Sequence, residues 1–83
     1  MKVGNGEVTM ENEFEKRLGY VLKKTRRAKK MKQPEVAERL NVSKMTVSHW
    51  EKGDRSMSAK SLKEYCRVLG VSVQEILDQT DED

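Results

Sequence analysis

The chain has 83 residues, of which 35% are hydrophobic, 37% are charged and only four are aromatic, and its formal net charge is +3. That length allows one domain at most, burying only about 60–65% of its unfolded surface, with a thin stability margin and little room for an internal ligand pocket. A single cysteine, Cys66, excludes an internal disulfide and fits a reducing cytosol; the longest apolar run near the N-terminus, Tyr20-Val21-Leu22, is too short for a signal peptide or a membrane span.

Charge is unevenly placed. Residues 1–15 carry a net −3, residues 16–67 a net +11 and residues 68–83 a net −5. A basic body between acidic ends is the footprint of a polyanion binder, although a charge run by itself is equally compatible with a solvated surface. Glycine and proline are sparse and no stretch alternates apolar with polar residues, so the fold class is all-α.

Residues 1–13 hold two glycines, two asparagines and no apolar period, and read as a disordered N-terminal arm. Being acidic, this arm is not expected to enter a minor groove. The first helix is expected from Glu13 or Phe14 to Lys29, with Phe14, Leu18, Val21, Leu22 and Thr25 on one side. From Lys16 to Pro34 there are nine basic residues and no acid. Part of that charge suits the negative end of the helix dipole, and the rest is available to phosphate.

The second helix is expected from Gln33 or Pro34 to Leu40. Proline suits the first helical turn, and the residue before it is pushed toward extended backbone, which puts Gln33 at the cap. Val36, Ala37 and Leu40 form its apolar stripe. Asn41-Val42-Ser43 then reads as a tight turn: Asn tolerates the left-handed conformation, Val42 plugs the angle and Ser43 is a preferred N-cap. Ala37 is small where two crossing helices come close. The pair is a helix-turn-helix signature.

The third helix, Ser43 to Lys52 and closed by Gly53, carries the function. At about 100° per residue, Lys44, Ser48, Lys52, Met45 and His49 share one acid-free arc, with Val47 and Trp50 on the opposite side. One face packs and the other offers cationic, polar and thioether groups, as a helix in the major groove requires. After Gly53, Arg55 in a polar loop can reach phosphate. Ser58 caps a fourth helix, Ala59 to Leu69, with Leu62, Tyr65, Cys66 and Leu69 as its core stripe; on that stripe Cys66 is a small core residue rather than a reactive thiol. Gly70 stops it, Ser72 to Glu75 form a capping box for a fifth helix, and the expected domain, 14–78, ends before an acidic tail at 79–83.

From Leu18 to Leu77 the chain resembles the lambda-repressor-like (Cro/repressor, XRE-type) helix-turn-helix family. Arg26, Gln33, Val36-Ala37, Leu40, Val42-Ser43, Val47, Trp50-Glu51-Lys52-Gly53, Leu62 and Leu69-Gly70-Val71-Ser72 carry the resemblance. It departs at Asn41 and Lys30, where the family often has glycine, and at Met57, where proline is common. Lys30 suggests a slightly different exit from the first helix.

The resemblance implies a five-helix DNA-binding domain with base reading by Lys44, Met45 and His49. Lys44 would donate to guanine, Met45 touch a thymine methyl and His49 donate to an acceptor or, less often, meet phosphate. Thr46, Ser48 and Lys52 would hold the groove edge or backbone, with Lys32 and Arg55, and Gln33 would hold a phosphate and brace the recognition helix. Arg26 would pair with Glu51, joining the first helix to the third, and Trp50 belongs to the core. One short helix reads too few base pairs for genomic specificity, so a homodimer on a pseudo-palindromic operator is expected, with Met57, Val73, Ile76 and Leu77 as dimer candidates.

The function expected is a cytoplasmic, nucleoid-associated regulator of transcription, a repressor of double-stranded DNA targets. The alternative is an antitoxin, or another protein that masks a toxin or anti-repressor partner while regulating itself through the same domain. Catalysis is poorly supplied: there is one His, one Cys, no glycine-rich phosphate loop and no metal-ligand spacing, so no cofactor or metal is expected. RNA fits less well, since its A-form major groove does not admit a helix.

Overall fold

Five helices follow one another: α1 (Val3–Ala28), α2 (Gln33–Leu40), α3 (Lys44–Lys52), α4 (Ala59–Leu69) and α5 (Val73–Asp81). The computed structural model describes the backbone of residues 3–81 and the side chains of residues 13–81. α1 packs on α3 and α5, α2 on α3 and α4, and α4 on α5, so the short helices close around one side of the long one.

The apolar stripes read from the sequence converge on one core. Leu18, Val21 and Leu22 of α1 meet Val36 and Ala37 of α2, Val47 and Trp50 of α3, Tyr65, Cys66 and Leu69 of α4, and Ile76 of α5. The Trp50 and Tyr65 rings lie 6.4 Å apart at a 53° tilt, within the distance at which aromatic pairs attract. α1 and α3 come unusually close. A β-carbon on Gly19 would fall within contact distance of the backbone carbonyls of Trp50 and Glu51, so only glycine lets the crossing form.

Stops and starts follow local chemistry. Ser43 and Ser58 accept backbone N–H groups from Thr46 and Ser61, each at 3.0 Å. Ser72 and Glu75 bond reciprocally, as a capping box should. Gly53 and Gly70 end α3 and α4 in the left-handed region, with φ of 82° and 76°. The cap of α2 is Lys32, not Gln33; it makes no side-chain bond, and Gln33 is already helical.

Four further expectations change. Lys30 does not give α1 a different exit: it takes the left-handed conformation itself, φ 61°, and Met31 N–H reaches back to the Arg26 carbonyl at 3.2 Å. Asn41 does the same at φ 59°. Helix α1 begins at Val3 where an irregular arm is expected over 1–13, whose first two residues lie outside the described residues; Gly4 and Gly6 weaken a helix without breaking it as proline would. Phe14, expected on the packed side of α1, is 39% exposed and stands outside the core, which on this helix begins at Leu18. At the other end α5 runs through the expected boundary at Asp78: Thr80 is buried and donates to the Ile76 carbonyl. Of the tail expected at 79–83, residues 82 and 83 lie outside the described residues.

Candidate nucleic-acid interface

The inner edge of α3 ends in a buried carboxylate. Glu51 Oε2 accepts from Arg26 Nε at 2.7 Å and from the Tyr65 hydroxyl, and Oε1 accepts from Arg26 Nη2 at 3.1 Å and Gln33 Nε2 at 3.0 Å. The donors come from α1, α2 and α4, so one side chain of α3 is held by three other helices. Arg26 also donates through Nη1 to the Met31 carbonyl at 2.7 Å, fastening the exit of α1. Burial pushes the Glu51 carboxyl up, but the bonds from Arg26, Tyr65 and Gln33 outweigh it and hold it below the ordinary glutamate range. The bond to Glu51 raises Arg26, which therefore stays charged, and burial raises the Tyr65 phenol, so it remains a donor. Burial also raises the Cys66 thiol, which keeps it protonated and unreactive in the core.

The outer side of α3 is built differently. Lys44, Met45, Ser48, His49 and Lys52 line an open hollow of about 470 Å³. Met45 is 68% exposed, an apolar side chain at the centre of a cationic and polar surface. Ser43 fixes the start of the helix, and the left-handed Asn41, whose N–H bonds to the Glu38 carbonyl, fixes the angle between α2 and α3. His49 Nδ1 lies 3.3 Å from Asp54 Oδ2, just beyond the end of the helix.

A helix-turn-helix family profile matches residues 22–76. Among solved structures, the clp gene regulator ClgR of Corynebacterium glutamicum superposes with a TM-score of 0.79 at 31% identity, covering 81% of this chain and 71% of that one. A second ClgR structure matches equally over 86% of its length. A point mutant of the restriction-modification controller protein C.Esp1396I gives 0.75 at 26% identity over 82% of this chain and 91% of the other. No curated protein sequence matches. The chain belongs to the helix-turn-helix family, of the lambda-repressor-like type.

Within this helix-turn-helix domain the five residues of the expected arc are side by side, and the Arg26–Glu51 pair is present and buried. The supporting residues are more scattered. Lys32 and Arg55 are exposed at the start of α2 and after α3, but Thr46 is half-buried and its hydroxyl is shared with Ser43 at 2.9 Å, inside the cap. Gln33 Nε2 donates to Glu51 Oε1 at 3.0 Å, which ties the start of α2 to the end of α3. Ile76 cannot serve a dimer surface: it is wholly buried within the single chain, while Met57, Val73 and Leu77 are only half-buried.

Two contributors escaped the sequence reading. Tyr65 shows only as a core stripe residue, since nothing local to α4 signals a carboxylate from α3. Asp54 reads as loop polarity, although its position directly after a glycine stop, five residues from His49, is a usable signal. Among the described residues no helix is long and apolar enough to cross a membrane.

Proposed function

We propose that this helix-turn-helix regulator is a sequence-specific repressor that binds double-stranded DNA as a homodimer on a pseudo-palindromic operator. The observation that carries this reading is the exposed arc of α3, Lys44, Met45, Ser48, His49 and Lys52, on a helix whose opposite side is anchored to α1, α2 and α4. Such a helix can be pressed into a major groove without shifting on its base. Lys44 donates to guanine O6 or N7, Met45 meets a thymine methyl and His49 reaches the neighbouring base edge. Lys32, Lys52 and Arg55 hold phosphates, Ser48 the groove edge, and bound protein blocks access by occupancy. That the similar chains are named as a clp gene regulator and a restriction-modification controller supports a regulatory role.

Met57, Val73 and Leu77 remain the surface for a second copy. In vitro selection from random duplex DNA tests the whole reading. The expected product is an inverted repeat with half-sites about 34 Å apart, bound with an affinity that falls steeply with salt. Enrichment of single, unrepeated sites would remove the dimer, and a flat salt titration would remove the DNA target.

A further inference from the structure

We infer that Asp54 is a positioning residue that sets which base His49 recognises, by holding the imidazole with Nδ1–H turned to the protein and the Nε2 lone pair toward the groove. This rests on the reading of α3 proposed above. Gly53 turns the chain left-handed at φ 82°, and the Asp54 N–H then donates to the His49 carbonyl at 3.0 Å. That backbone bond sets the Asp54 side chain beside the ring, with Oδ2 3.3 Å from Nδ1.

An ionised carboxylate can only accept, so Nδ1 is the donor. A neutral imidazole carries one ring hydrogen, which leaves Nε2 as an acceptor. Among the described residues the ring makes no other protein hydrogen bond, and it stands half-exposed in the hollow it shares with Lys44, Met45, Ser48 and Lys52. An unrestrained imidazole in water prefers its hydrogen on Nε2, so Asp54 inverts the polarity offered to DNA.

The consequence is a choice of base. An acceptor in the major groove pairs with adenine N6 or cytosine N4, and is repelled by the acceptors of guanine and of thymine O4. Lys44, in the same hollow, offers only donors. The two residues therefore read bases of opposite polarity, and the expectation that His49 donates is reversed.

The chain holds a single histidine, so the ring nitrogen–proton NMR spectrum has one imidazole to assign. With the ring in its neutral form, wild type should carry the hydrogen on Nδ1. Asp54→Ala should move it to Nε2, and Asp54→Asn, whose amide oxygen still accepts, should keep it on Nδ1; the backbone bond of residue 54 survives both changes. Selections run in parallel should enrich adenine or cytosine at the position that loses its preference in His49→Ala. At that position alone Asp54→Ala should lower the preference by about tenfold, while Asp54→Asn retains it.

A wild-type ring protonated on Nε2, or one unmoved by Asp54→Ala, would overturn the inference. So would a moved hydrogen with the same base still selected. If wild type enriches no sequence at all, the DNA reading of α3 fails, and the ring spectra still decide the Asp54–His49 arrangement separately.

Discussion

The two faces of α3 are made of similar polar chemistry used in opposite ways. On the inner edge, every acceptor position of Glu51 that matters is filled from Arg26, Tyr65 and Gln33, and among the described residues no buried side-chain nitrogen or oxygen lacks a partner. On the outer edge, Lys44 and Lys52 carry donors with no protein partner among the described residues, beside an exposed Met45. Saturated buried polar groups fix a helix in place; exposed, hydrated ones beside an apolar side chain are free to meet a ligand. The difference separates residues that hold α3 in place from residues proposed to read DNA.

Breaking the inner face should cost most. Glu51→Ala leaves the Arg26 guanidinium buried and unpaired, and should destabilise the chain by about 3–5 kcal/mol in urea unfolding. That is a large part of the total for a domain this small. Tyr65→Phe removes one neutral donor from a charged acceptor, with an expected loss of about 1.5–3 kcal/mol. Gly19→Ala forces α1 off the carbonyls of Trp50 and Glu51 and should cost about 1–3 kcal/mol by overpacking.

Acid sharpens the same contrast. Because the folded chain holds the Glu51 carboxyl below its ordinary value, Glu51 contributes stability that is complete above the ordinary glutamate range and is lost as pH falls through the depressed folded value. Unfolding followed at decreasing pH should show that loss in wild type and not in Glu51→Gln. The smallest effect is a gain. Lys30→Gly relieves a left-handed lysine and should add about 1 kcal/mol, raising Tm by about 4–8 °C for a domain of this size.

The sequence exposed the parts of this design that depend on near neighbours. Ser43, Ser58 and the Ser72–Glu75 box cap helices because their side chains reach N–H groups three residues on, and the stripes of α2, α3 and α4 follow the helical repeat. The shared arc of Lys44, Met45, Ser48, His49 and Lys52 was legible for the same reason, since azimuth needs only spacing. What depends on how helices dock was hidden. Ile76 and Leu77 are adjacent and equally apolar, and only the tilt of α5 against α1 decides that Ile76 turns in. The Tyr65 hydroxyl and Gln33 amide reach Glu51 across 14 and 18 residues of chain, beyond any local pattern. Lys30 misleads because a lysine gives no local sign of the left-handed conformation it takes here, where the Met31 N–H reaches back to the Arg26 carbonyl.

The most direct test of the contrast between the faces is equilibrium binding of wild type and a Lys44→Ala, His49→Ala double variant to a selected site and to a shuffled duplex, at several salt concentrations. The variant should remain folded within about 0.5 kcal/mol, as surface changes usually do. It should bind both duplexes alike, with nearly the wild-type salt slope, while wild type keeps its preference for the selected site. A folded double variant that still prefers the selected site as strongly as wild type would show that the outer face of α3 is not the reading surface.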